Sequence, residues 1–434
     1  MPPSLALFAG LCYIAFLLRL DRRQNPEATL ALWIPTVWLL IASTKALGTW
    51  FGMQSTSIEE GSALDRNVLI LLFCIVLGLL LKRKFDFASG FRENAWLLAY
   101  LGITLCSVVW SDLPFVSFKR FFRETIPIFM AFLVMTEKDP KEAIATAVRR
   151  AVYILIPLSL ILIKWFPDLG VDYTVWTGDR MWIGVADQKN ELGQLTSLSA
   201  FFILWSLLRR GRRPAGPRIR YLMLADLSVL AITLYLMQGS DAGYSATSLV
   251  ILAVSLICLA GLLWLKKKGR ILGPGTIKAC VAFVVVYGII TPFLGRLTII
   301  DISSSLGRNS TLTDRTNIWA GLIPQAMSRP VLGHGAGAYW TTERFRRGFP
   351  AHNGYLEIIL VLGFIGLLLM AIYLVSLAGK AQNLLARDYT WGMLWLCWLT
   401  MALVNNITES SLNTFENILI AIPLWFGVVH KRSG

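Results

Sequence analysis

The sequence predicts an all-α polytopic membrane protein: a bundle of about twelve to fourteen transmembrane helices with one long polar loop between late spans. Three observations predict it. Of 434 residues, 56% are hydrophobic and only 15% charged, with a mean hydropathy of +0.61; soluble domains are nearer half apolar and a quarter charged. The apolar residues come in blocks about as long as the roughly 20 residues a spanning helix needs. The blocks are solid Leu, Ile, Val and Trp, without the alternation of a barrel strand. They are therefore helices, whose internal hydrogen-bond ladder satisfies the backbone in lipid.

In order, the blocks fall at 4–20, 29–47, 66–81, 95–111, 118–136, 149–166, 191–208, 221–238, 244–265, 277–294, 355–379, 391–408 and 414–429. The first begins MPPSLALFAG and lacks the basic start of a signal peptide, so it reads as a retained span. Loops after odd-numbered blocks hold most of the lysines and arginines. They include Arg19, Arg22 and Arg23, then Lys138, Lys141, Arg149 and Arg150, then the run RRGRRPAGPRIR at 209–220. The positive-inside rule makes these loops cytoplasmic and the N-terminus external. Loops 48–65, 112–117, 167–190, 239–243, 295–354 and 409–413 then share the outer face. The net charge of +15 is dispersed between spans, which argues for orientation in a membrane and against nucleic acid. Six cysteines lie in or beside apolar blocks and read as small core residues, not a disulfide framework.

The stretch Thr313–Gly366 breaks the apolar pattern. It collects Arg315, Arg329, Arg344, Arg346 and Arg347 and two of the three histidines, His334 and His352. The chain thus divides into 1–294, 295–354 and 355–434. His352 precedes a helix start. It is either a polar cap or a proton acceptor, since imidazole titrates near neutrality. Asn353 can cap that helix, and Glu357 can orient the imidazole or a sugar. Arg315 is either paired locally with Asp314, which is worth little, or a guanidinium fork for phosphate. Arg180, Lys189 and Asn190 lie near Trp182 in an outer loop, which is either a solvated loop or a place where a cation beside an aromatic ring serves a sugar diphosphate. Among Lys119, Arg120 and Arg123, at an outer span end, Lys119 should snorkel and Arg123 line a cavity. Glu409 is a candidate helper carboxylate. His334, among glycines in GHGAGAYW, reads as structural, and Gly363 and Gly366 suit close helix packing. Three histidines without ligand spacing predict no metal, and no nucleotide fingerprint is present.

Together these motifs resemble the O-antigen ligase/O-antigen polymerase superfamily of bacterial inner-membrane proteins. The resemblance rests on Asp314-Arg315-Thr316-Asn317-Ile318-Trp319, Arg329 to Gly335, His352 to Glu357 and Gly363 to Gly366, with Trp110-Ser111-Asp112, Lys189 to Gly193 and Thr408-Glu409-Ser410 in support. It implies a multi-pass protein whose active site faces the periplasm, with 295–354 as a periplasmic catalytic loop. It implies glycan transfer from an undecaprenyl-diphosphate-linked oligosaccharide to an acceptor glycan or lipid A core, without metal or cofactor. Arg315 would bind the diphosphate and His352 would act as base or position the acceptor. A flippase and a chain-length regulator would be its companions. Many members carry Ser-Arg where this chain has Ser240-Asp241, so the second arginine's role passes to Arg180, Lys189 or Arg123, or is absent. The expected activity is exopolysaccharide or O-antigen polymerisation. The alternatives are ligation to lipid A core or, in another class, a polysaccharide-lipid transporter, which would place its charges along a central path.

Overall fold

A computed structural model describes residues 1–53, 57, 59, 61–174, 178–211, 217–240, 243–270, 272–294, 311–412 and 414–430, with the side chains of 217–218, 311–314 and 347 left aside. All thirteen apolar blocks fall on helices. In chain order they are α1 (Pro3–Gln24), α2 (Trp33–Ala42), α3 (Ala63–Lys82), α4 (Ala95–Cys106), α5 (Pro114–Met135), α6 (Pro140–Trp165), α7 (Lys189–Arg210), α8 (Pro217–Met237), α9 (Ala246–Lys267) and α10 (Thr276–Leu294). A further helix α11 (Thr311–Ser328) precedes α12 (Gly354–Arg387), α13 (Tyr389–Thr408) and α14 (Ile418–Val429). Among the described residues, eight helices are long and apolar enough to cross a membrane unaided: α1, α3, α6 to α10 and α12. Shorter apolar helices lie at 30–42, 95–110 and 418–429, and α5 carries four charged residues, Lys119, Arg120, Arg123 and Glu124. A two-stranded hairpin pairs β1 (Val171–Tyr173) antiparallel to β2 (Arg180–Trp182).

The core is aromatic where α7, α13 and α14 meet. Phe202 stacks on Trp398 at 5.8 Å, and Trp395 stacks on Phe426 at 5.9 Å. Helix α12 packs against α4, α10 and α13, and α14 against α5.

The two ends of the bundle differ. At one end the basic loops are tied together: Lys141 meets Asp388 at 3.0 Å, Arg209 meets Glu142 at 2.7 Å, and Arg83 meets Glu137 at 2.9 Å. Here the structure corrects the expectation from sequence. Helix α6 starts at Pro140, not at 149, because Asp139 caps it by accepting from the N–H groups of Lys141 and Glu142. Arg149 and Arg150 are therefore helical and buried, not loop cations. Both bond Asp21 of α1, at 3.1 and 2.8 Å.

The opposite end gathers residues 111–113, the hairpin, 239–240, 243–245, 329–353, 409–412 and 414–417. Helix α12 is broken there. Gly363 has φ +64 and ψ −166, and the chain 330–335 fills the break. His334 and Gly335 N–H donate to the carbonyls of Leu360 and Val361, both at 2.9 Å, while Phe364 N–H donates to Pro330 at 2.7 Å. The freed backbone groups are thus re-satisfied by protein, as a break at membrane depth requires. Gly363 is a second correction: it does not serve helix–helix packing. A Cβ there would lie 2.3 Å from the Val331 carbonyl carbon.

Candidate active site

Four side chains from separate segments converge, three of them on the carboxylate of the fourth. Glu409, just past the end of α13, accepts from Arg315 Nη2 at 3.2 Å and Asn190 Nδ2 at 3.0 Å on Oε1, and pairs with His352 Nδ1 at 3.1 Å on Oε2. Asn190 lies in the first turn of α7, and Ser245 Oγ bonds its amide oxygen at 3.2 Å. Arg315 comes from α11. Burial lowers its pKa, and the Glu409 charge opposes that shift. A guanidinium stays charged regardless.

His352 is held in a left-handed conformation with φ +46, a strained state for a residue with a Cβ. Its neighbours impose it. The Ala351 N–H donates to Glu357 at 3.3 Å, and the Ala351 carbonyl accepts from Trp319 Nε1 at 2.7 Å. Asn353 N–H donates to Ser410 Oγ at 3.2 Å. Trp319 stands one turn after Arg315 on the same face of α11, so one helix supplies both contacts.

Among the other site candidates, Asn353 takes the capping place the sequence suggests and several others do not. Asn353 caps α12, accepting from Tyr355 and Leu356 N–H at 3.1 and 2.9 Å. Its amide nitrogen bonds the Gly288 and Ile407 carbonyls, both at 3.1 Å. Fully buried, it supports His352 from behind and has no group left for a substrate. Glu357 does not orient the imidazole; its carboxylate accepts from Trp340 Nε1 and Ala351 N–H. Glu409 takes that orienting position.

Arg180 is exposed on β2, and its carbonyl accepts from Ser240 Oγ. Lys189 lines a small cleft with Trp182 and Ser245. Arg123 pairs with Glu416 and borders two cavities. Lys119 lies over the Phe115 ring at 5.0 Å. Asp241 and the Asp314 side chain lie outside the described residues.

His334 is packed within the filled break. Its Nε2 meets the Gln325 carbonyl at 3.1 Å, and burial lowers its pKa. Sequence alone assigns no role to Trp319 or Ser245; the spacing of Trp319, four residues after Arg315, is the available signal for the first. Among the described residues, no group of three His, Cys, Asp or Glu is arranged to hold a metal ion.

Residues 227–371, from α8 into α12, match the family O-antigen ligase. The exopolysaccharide production protein ExoQ of Rhizobium meliloti (strain 1021) is 24% identical over 323 residues, covering 69% of this chain and 68% of that one. Both likenesses support the O-antigen ligase/polymerase superfamily. The O-antigen ligase region contains Arg315, Trp319 and His352. It ends before Glu409 and begins after Asn190, so half of the polar cluster lies outside it. No solved structure matches the chain.

Proposed function

We propose that the protein is a membrane glycosyltransferase that polymerises undecaprenyl-diphosphate-linked oligosaccharides into an exopolysaccharide. The observation that carries this reading is the Glu409 cluster, which joins a base and a phosphate-binding cation on one carboxylate. If the Nδ1–H of His352 donates to Glu409, Nε2 is left as the nitrogen that accepts a proton. The acceptor hydroxyl gives its proton to Nε2 as its oxygen bonds to the anomeric carbon of the donor. The bond from that carbon to the diphosphate breaks, and the departing oxygen carries the electron pair toward Arg315. Fixed charge aimed at where new charge develops is usually what lowers such a barrier most. The diphosphate bond provides the driving force, so the reaction needs no metal or nucleotide.

The site end is opposite the basic end of the bundle. With the basic end in the cytoplasm, the site faces the periplasm of a bacterial inner membrane, on and around the loop 295–354. The name of ExoQ favours polymerisation of an exopolysaccharide. The family name, O-antigen ligase, favours a second reading, ligation of a glycan to lipid A core.

The test uses purified protein with lipid-diphosphate-linked oligosaccharide from the producing cell. His352→Ala, Arg315→Ala and Glu409→Gln should each lower glycosidic-bond formation by about 100-fold or more, with the protein still folded. Full activity in any one removes that residue from the mechanism. Lipid movement without a new glycosidic bond would identify a transporter, and product on lipid A core would identify a ligase.

A further inference from the structure

A cavity of about 360 Å³ lies beside the cluster, lined by residues that include Tyr100, Arg120, Phe121, Trp340, Glu357 and Phe415. It sits between α4, α5 and the start of α12, and its size suits a small organic ligand. One wall is linked to the reaction centre through the backbone. Glu357 lines the cavity, and its other oxygen holds the N–H of Ala351, the residue before His352. Arg120 is laid against the opposite wall over Gly337, where a Cβ would come within 2.6 Å of the arginine Cδ. Gly337 has φ +72, so the glycine both makes the turn and admits the guanidinium. Arg123 and Glu416 close a further side and also border a second cavity of about 470 Å³.

The lining selects among ligand classes. Aromatic faces give apolar contact, while the guanidinium and carboxylate groups offer planar, paired hydrogen-bonding positions. Glu124, Glu357 and Glu416 line the cavity together with Arg120 and Arg123, and Glu416 already pairs with Arg123. That balance opposes a diphosphate, and the charges oppose a lipid tail. It matches a ring with an apolar C–H face and a rim of hydroxyls.

The geometry points to a carbohydrate subsite here, holding the terminal sugars of the acceptor glycan so that a hydroxyl is delivered to His352. This rests on the transfer reading above and adds the side from which the acceptor enters. Arg120 and Phe121 then determine acceptor affinity without touching the reacting atoms.

The experiment uses the full-length protein, the lipid-linked donor, and acceptor oligosaccharide released from the same lipid pool by mild acid. Arg120→Gln and Phe121→Leu are each titrated with acceptor and, separately, with donor. The expected result is a rise of about tenfold in the half-saturating acceptor concentration, equivalent to about 1.4 kcal/mol. Maximal rate and donor half-saturation should stay within about twofold. Unchanged acceptor dependence in both folded variants, or equal weakening toward donor, overturns the subsite while leaving the transfer reading intact. If wild-type protein forms no glycosidic bond, the transfer reading fails by itself. Calorimetric binding of the oligosaccharide alone, weakened by either substitution, still decides the cavity. Arg120→Lys keeps the charge but not the fork, and serves if Arg120→Gln does not fold.

Discussion

Trp319 donates its indole N–H to the Ala351 carbonyl at 2.7 Å, one residue before His352. Trp319 is 2% exposed, and Arg315, a turn earlier on α11, reaches Glu409. The helix that carries the cation therefore also sets the backbone that aims the imidazole.

Trp319→Phe keeps the packing and removes this donor, leaving a buried carbonyl unpaired at about 1–3 kcal/mol. The expected outcome is a maximal rate about tenfold lower with half-saturation by donor and acceptor little changed. A structural role alone would lower the melting temperature too but leave the rate of the folded fraction intact. Steady-state kinetics beside thermal melting separates the two.

Gly363→Ala should destabilise the bundle by at least about 2 kcal/mol, because it combines a left-handed φ with a Cβ against the Val331 backbone. Gly261→Ala in α9, with open space around it, should be neutral or slightly stabilising. Scanning fluorimetry in detergent compares them. A Gly363→Ala protein that melts with the wild type would mean the break at α12 is not maintained.

Asp21→Asn leaves Arg149 and Arg150 buried with their anionic partner gone. Losing one member of a buried charge cluster costs about 3–5 kcal/mol, enough to deplete folded protein from the membrane fraction. Replacing Asp21, Arg149 and Arg150 together by leucine should recover much of that loss. Membrane-fraction yield and melting temperature report both results.

Stability should fall on acidification. Burial, then the charges of Arg387, Lys380 and Lys141, push His430 down to about 4 from its usual 6.5. Between these values the unfolded chain binds a proton that the folded chain refuses, so folded stability declines as pH drops through that window. It levels off below pH 4. His334 shifts the same way through burial. A His334→Gln/His430→Gln protein should show a flatter melting temperature from pH 7 to 4 than the wild type.

The helices are legible because lipid imposes one rule on every span, and each block obeys it by composition alone. His352, Asn190 and Glu409 are legible as polar groups at span ends and Arg315 as one in the long polar stretch, where burial has to be explained. Their mutual contacts are not, since His352 and Glu409 are 57 residues apart and only packing brings them together. The same reason misdirects any sequence-based reading of Glu357, which adjacency places on the imidazole and the fold turns toward Trp340. Arg149 and Arg150 look like loop cations because Asp21, their partner, stands 128 and 129 residues away. Gly363 looks like a packing glycine because a break filled by a distant segment leaves no local sign.

The polar cluster draws on the starts of α7 and α11, the turn before α12 and the end of α13, and this has a consequence for biogenesis. A ribosome releases Asn190 first and Glu409 last, so no nascent intermediate holds the complete set. A chain truncated after Thr408 would keep its base and its cation yet lose the anion that aligns them. The polar cluster is therefore complete only when translation has passed the penultimate helix.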